Sequence, residues 1–406
     1  MGSHDVRNGV RPPTMVIYTP LIIILIVWLE VVLVMHPASA QEEESKIQWA
    51  LRGYVKDLVS VQRLNDETYV DNLVHNRLNL SVTFSSSLSA YVEVRNRIFT
   101  GDLVKTIPGY STLIDVNDDY FDLSATVLDR KAWVIHSMID RAYVEWYYKQ
   151  WEVRAGRQRI NWGKNLVWNP NDWFNAYSFF DFDYEERPGS DAIRIRRYTG
   201  FASSLEVAAS VHEDFDQMVM AGLWQINRWN YDIQFLAGKV REDIAFGVGW
   251  AGNLSDASFK GELSYFTPYT SSIQNAAFSA SLSTDYSFES SLYLHGSLLF
   301  NSDGSNDPPV TGLLTASSER LTARSLLPYR YSLFEQTSYQ IHPLLTAGAA
   351  FMFFPSDHAL FINPTLTWSV CPNWDIDIVG QIFLDEFEEE YQAVAKLLFF
   401  RAKCSF

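Results

Sequence analysis

The sequence predicts an all-β fold: a transmembrane antiparallel β-barrel of about eighteen strands, with about sixteen as the alternative, since bacterial barrels take even numbers. Three observations carry that prediction. From Asp71 to Phe84 the chain alternates, placing Val74, Leu78, Leu80, Val82 and Phe84 on one side and His75, Arg77, Asn79, Ser81 and Thr83 on the other. Such a strand meets lipid on one face and water on the other. The next segment repeats the pattern, with Ala90, Val92, Val94 and Ile98 outward and Glu93, Arg95 and Arg97 inward. Finally, the chain holds 26 Phe, 21 Tyr and 13 Trp, yet beyond Ala40 no apolar stretch is long enough to cross a bilayer as a helix. Barrels hide their hydrophobicity in alternate positions in this way. A soluble β-sandwich is the rival, but it would be unusually large and would need a dry core.

Further strands are predicted near Val55, Val144, Val153, Ile193, Val207, Ala221, Phe235, Val248, Leu263, Leu282, Leu294, Leu333, Ala349, Leu366, Ile378 and Leu398. Every second connection is compact: those near Ser86, Gln150, Gly200, Asn230, Asp256, Glu289, His342 and Pro372 read as periplasmic turns. Gly101 to Val134, Trp162 to Gly189 and Ser302 to Pro328 read as extracellular loops. Trp146, Tyr148 and Trp151 at one tight turn, with Trp229 and Tyr231 at another, suit an aromatic girdle.

At the amino-terminal side, Met15 to Met35 is an almost unbroken apolar run preceded by Arg7 and Arg11 and followed by Ala38-Ser39-Ala40. This predicts a signal peptide over residues 1–40, a short periplasmic segment over 41–46 and a barrel over 47–406. Glu30 interrupts the run, and an uncleaved helix is the alternative. The last segment alternates too, ending Leu398, Phe400, Ala402, Cys404, Phe406. Its terminal aromatic resembles the assembly signal of bacterial outer-membrane barrels. Closure requires this strand to pair antiparallel with the one near Val55, because an edge in lipid leaves backbone groups unpaired.

The formal net charge of −16 disfavours nucleic acid as a partner. Cys371 and Cys404 fall near the same end of the barrel, and their mutual disulfide is left open. Asp115, Asn117 and Asp119 begin like a Ca²⁺ loop, but Tyr120 and Thr126 stand where Gly and Glu are required, which excludes an EF-hand and leaves a loose surface site open. His75, His136, His212, His295, His342 and His358 are dispersed, so neither metal nor cofactor is expected.

The charged residues supply the candidate site. Arg52, Lys56, Arg77, Arg95, Arg97, Arg141, Arg154, Arg194 and Arg196 share the water-facing parity, giving a basic wall suited to anions. Glu93, Glu145 and Glu152 lie on the same parity and offer the alternative of cross-strand pairing. Arg157 and Arg159 fall on the lipid-facing parity of a regular strand. A bulge at Gly156 re-aims them, or else they stand above the lipid at the rim. The loop Trp162–Gly189 carries Trp168, Trp173, Phe174, Phe179 and Phe180 beside Asp172, Asp181, Asp183, Glu185 and Glu186. Folded inward it sets its carboxylates across from the basic wall as a constriction, whereas folded outward it caps the mouth.

The segment Gly156-Arg157-Gln158-Arg159-Ile160-Asn161-Trp162-Gly163, followed by Asn169-Pro170-Asn171-Asp172, resembles the alginate-export-type and related porin families of Gram-negative outer membranes. The resemblance implies passage of solutes through a barrel without fixing the solute. The expected function is therefore an outer-membrane channel, not an enzyme, for small hydrophilic solutes that are anionic or sugar-like. Outer-membrane lipid surrounds it, and the homotrimer common among porins is a possible assembly. The rivals are a non-conducting barrel serving as receptor, adhesin or scaffold, and a barrel-embedded lipid or carbohydrate hydrolase built on His75 and Ser81.

Overall fold

The computed structural model describes residues 47–64, 67–115, 119–176, 179–180, 183, 189–269, 275–305, 321–356, 358–387 and 390–406. The expected signal peptide and periplasmic segment lie outside the described residues, as do Asn117, Asp181, Glu185 and Glu186. Among the described residues nineteen strands form one sheet. In chain order they are β1 (Gln48–Leu64), β2 (Glu67–Ser85), β3 (Leu88–Gly101), β4 (Ser124–Arg130), β5 (Trp133–Tyr148), β6 (Trp151–Gln158), β7 (Ser190–Gly200), β8 (Ser203–Ser210), β9 (Val219–Arg228) and β10 (Tyr231–Val240). There follow β11 (Asp243–Leu254), β12 (Ala257–Pro268), β13 (Ala277–Ser287), β14 (Leu292–Asn301), β15 (Tyr331–His342), β16 (Leu345–Phe354), β17 (Ala359–Cys371), β18 (Trp374–Phe387) and β19 (Glu390–Ser405).

Each strand pairs antiparallel with the next, except that β3 pairs with β5, and β19 returns to β1. The ring thus closes with 18 strands, β4 standing outside it as an extra strand on the upper half of β5. All of the strands expected from alternation are present. The sequence missed β4, which is short and carries a register irregularity between Thr126 and Leu128, and two short helices before it, α1 (Asp102–Thr106) and α2 (Tyr110–Ile114).

Closure follows the expected antiparallel pairing, in a register that sets Val55 opposite Cys404 and Val61 opposite Leu398. The seam extends by two backbone bonds: the N–H of Phe406 donates to the Gly53 carbonyl at 2.9 Å, and the N–H of Gly53 donates to that of Phe406 at 3.0 Å. A Cβ at Gly53 would sit 2.2 Å from the Arg77 carbonyl oxygen and 2.9 Å from the Phe406 ring. Gly53→Val should therefore reduce the fraction of heat-modifiable, folded barrel on gels, and Gly53→Ala should do so less; equal, full folding of both would show that the seam tolerates a side chain there. Cys371 and Cys404 are both free, and Trp374 of the intervening β18 is opposite each of them.

The two faces differ as alternation demands. Ile193, Val207, Trp224, Phe246, Leu298, Leu333 and Phe400 are exposed on the outer wall, which suits hydrocarbon. Lys56, His75, Arg77, Glu262, Ser279, Ser281 and Gln381 are buried inside. The inner wall also carries Phe266, Phe334, Met352, Phe354 and Phe361, all buried. Alternation along one strand cannot reveal these patches, and they decide where the long loop goes.

Candidate functional site

Along β2, β3 and β5 to β8 the inward charges form a paired ladder. Arg77, with no exposed surface, binds Asp140 and Glu93, and Arg95 Nη2 lies 3.2 Å from Asp140. Arg154 binds Glu145 and Glu152. Arg194 binds Glu152, and Arg196 binds Glu206. Arg97 points its guanidinium at His136 Nδ1 (3.1 Å) and at the Ile114 carbonyl (3.4 Å), stacking 5.1 Å from the Phe99 ring. Arg141 is buried beside the bulge, with Nη1 3.4 Å from the Asp140 carbonyl. The cross-strand pairing read from the sequence is present at Arg77–Glu93, Arg154–Glu145 and Arg194–Glu152, whereas Arg97 and Arg141 meet His136 and backbone carbonyls.

Asp140 escaped the sequence reading. Regular alternation places it with Ala142 and Val144 on the lipid side. Glu93 pairs with Arg141 and Val94 with Ile139, which leaves Asp140 as the extra residue of a bulge. The bulge turns its carboxylate inward between two guanidiniums. The signal was an aspartate placed on a lipid face, an expensive position without such a device.

Arg157 and Arg159 part company. The β5–β6 register runs through Gly156 without an extra residue, so the bulge, one of the two alternatives, is absent. Gly156 instead adopts φ +117°, where a Cβ would lie 2.2 Å from the Ala142 carbonyl. Beyond it Arg157 is buried in a two-pronged contact with Asp191, at 3.0 and 2.9 Å. Arg159 lies past the strand and pairs with Asp172 at 3.2 Å.

The long connection between β6 and β7 folds into the lumen. Ile160, Trp162, Trp173 and Phe174 are buried against Leu223, Leu236 and Phe266. Val167, Trp168 and Phe180 join Phe334, Met352, Phe354 and Phe361. Burying an aromatic side chain contributes about 2–3 kcal/mol, so these contacts outweigh any single hydrogen bond in holding the loop. Polar anchors then fix its path. The Glu262 carboxylate on β12 accepts the backbone N–H groups of Lys164, Asn165 (2.8 Å) and Asn171 (2.9 Å). Trp162 Nε1 donates to Glu206 (2.7 Å), Trp173 Nε1 to Ser264 (3.0 Å), and Gln381 Nε2 to the Phe180 carbonyl (2.9 Å).

Of the loop carboxylates only Asp172 and Asp183 lie within the described residues, and of these Asp183 meets the basic wall, at Lys56. Asp172 is taken by Arg159 of the same loop. Asp183 reaches the closure seam, where Lys56 Nζ lies at 2.8 Å, Arg401 Nη1 at 3.5 Å and His75 Nδ1 at 3.7 Å. Burial works to raise the Asp183 pKa, but the facing His75 ring and the charge of Lys56 prevail and hold it below the ordinary value. A depressed carboxyl contributes stability that is present above its unfolded pKa, about 4, and is lost as pH falls through the lower folded value. Acidification below about pH 4 should therefore loosen this end of the loop first. Protease accessibility near Asp183 measured against pH checks this; accessibility unchanged down to complete unfolding would contradict it.

The first long connection also enters the lumen. Val104 of α1, with Tyr110 and Ile114 of α2, packs on Phe99 and Val134, and Asp115 binds His136 Nε2 at 3.0 Å. Asp115 is thereby engaged by His136, Ser124 and Thr126.

No protein-family model matches the chain, and no curated protein does. Solved structures do resemble it. OccK5 (OpdH) of Pseudomonas aeruginosa aligns over 88% of this chain and 98% of its own, with a TM-score of 0.57 and 8% identity. OccAB2 of Acinetobacter baumannii covers the same shares with a TM-score of 0.56 and 10% identity. OccK11 (OpdR) of Pseudomonas aeruginosa gives 0.56 at 7% identity, over 88% of this chain and 96% of that one. At such identities the likeness establishes a common barrel fold.

Proposed function

We propose that this protein is a non-enzymatic channel of the Gram-negative outer membrane, passing small hydrophilic solutes with a preference for anionic or sugar-like ones. The observation that carries the reading is the closed barrel with a lipid-suited outer wall, a charged inner wall and an inward loop narrowing the lumen. Along β1 to β8 the inward basic side chains, Arg52, Lys56, Arg77, Arg95, Arg97, Arg141, Arg154, Arg194 and Arg196, outnumber the inward carboxylates of the same strands, Asp71, Glu93, Asp140, Glu145, Glu152 and Glu206. That local excess favours anions. A homotrimer remains part of this reading only as the assembly general in porins.

A non-conducting barrel is the second reading, favoured by how little of Arg77, Arg95, Arg141 and Arg194 water reaches. Swelling of proteoliposomes in isosmotic solutions of neutral sugars, uronates and organic cations separates the two. Faster swelling in uronate than in cations of equal size supports the channel; no swelling in any solute supports the rival.

The more accessible rungs should set ion preference. Arg154 and Arg196 keep 24% and 27% of their side chains exposed. Changing both to Glu alters the lumen charge by about four units, so the reversal potential in a KCl gradient should move toward cations, most at low salt. An unchanged potential in the folded double variant would remove these residues from selectivity.

A further inference from the structure

The barrel end that carries the short turns faces the periplasm in barrels of this kind. Within one arc of its wall it sets three cations on aromatic rings. Lys149 Nζ lies 5.2 Å from the centre of the Tyr148 ring, the Arg197 guanidinium 5.4 Å from that of Trp151, and the Arg228 guanidinium 5.4 Å from that of Trp229. All six side chains are exposed. Tyr148 is opposite Trp151, and Trp151 is opposite Arg197, so two of the pairs are continuous across β5, β6 and β7. Arg197 shares the outward parity of the exposed Ile193, and Arg228 that of the exposed Trp224. On this half of β5 to β10 the carboxylates Glu145, Glu152, Glu206 and Asp232 stand on the inward parity, and among the described residues none of them pairs with Lys149, Arg197 or Arg228. The turns after β11 and β13 hold Asp256 and Glu289 instead. A chain of formal net charge −16 thus gathers unpaired cations on one side of this rim.

Aromatic girdles mark the level of the lipid headgroups. A ring holds a cation through its quadrupole and leaves the N–H groups to donate elsewhere. At that level the acceptors on offer are phosphate oxygens, which Arg meets with its fork and Lys as a point charge. We infer that the arc from β5 to β10 is a binding surface for anionic phospholipid headgroups of the periplasmic leaflet. The placement favours lipid over an acidic soluble protein, because cations that serve a soluble partner have no need of rings that fix them at headgroup level. This inference rests on the barrel's place in the membrane and not on whether it conducts.

The test uses the whole protein in nanodiscs that hold equal amounts of phosphatidylglycerol and phosphatidylcholine, with the retained lipid read by native mass spectrometry. The parent should retain phosphatidylglycerol preferentially, and the preference should shrink as salt rises. Arg197→Gln should lower it by up to about fivefold, the scale of one cation at an anionic surface. Lys149→Gln, Arg197→Gln and Arg228→Gln together should abolish it, whereas Arg197→Lys with Arg228→Lys should keep most of it. These side chains are exposed, so the variants should fold, which heat-modifiable migration on gels checks. Inorganic phosphate at millimolar concentration should not displace the lipid. A folded parent that holds both lipids equally, a triple variant that keeps the preference, displacement by inorganic phosphate, or tighter binding of polyglutamate than of phosphatidylglycerol would each overturn the inference.

Discussion

Replacing Glu262 with alanine is expected to unseat the span of loop from Lys164 to Asn171 and to raise the single-channel conductance. The carboxylate is fully buried and accepts three backbone N–H groups of the loop. Each N–H left buried without an acceptor costs about 1–3 kcal/mol. Together these losses rival the burial of the loop's aromatic side chains, so the span loosens although Trp162, Trp173 and Phe180 still hold its ends. The barrel itself should survive, since Glu262 contributes only backbone pairing to the β11–β12–β13 register. Planar-bilayer recording of Glu262→Ala should show larger and noisier openings than the parent. Glu262→Gln should fall between them, because one amide oxygen remains to accept. Identical conductance in all three would mean that the loop does not limit the path.

Removing Asp140 is expected to harm the barrel itself. Its carboxylate binds both Arg77 and Arg95, which are buried. Leaving buried guanidiniums uncompensated costs about 3–5 kcal/mol. Asp140→Leu should therefore lower the urea midpoint of unfolding sharply or abolish assembly, and Asp140→Asn should be milder because it still accepts a hydrogen bond. The combined change Asp140→Leu with Arg77→Met should recover part of the loss if the uncompensated charge is the cause. A single variant as stable as the parent would show that Glu93 alone suffices to hold Arg77.

These two residues mark the limit of what the sequence disclosed. The barrel was legible because lipid outside and water inside impose a period of two on every strand, and the strands centred from Val55 to Leu398 follow it. The parity of Arg77, Arg95, Arg154 and Arg194 was legible for the same reason. Asp140 was hidden because a bulge shifts parity by one residue without changing composition. Glu262 was hidden because its partners are backbone groups of a loop nearly a hundred residues earlier, which no local pattern encodes. The inward turn of that loop could be anticipated from its aromatic content. Of its described carboxylates, Asp183 meets the basic wall at Lys56, whereas Asp172 is taken by Arg159 of the loop itself, a pairing that no strand alternation encodes. The strand β4 lay where short length and an irregular register erase the alternation.

The claim that the lumen is a solute path constricted by its own loop is tested most directly by single-channel recording of the purified barrel in a planar bilayer under a KCl gradient. The predicted result is a discrete conductance with a reversal potential on the anion side, enlarged in Glu262→Ala. A folded parent barrel that passes no current, and stays silent when the loop is released, would contradict it.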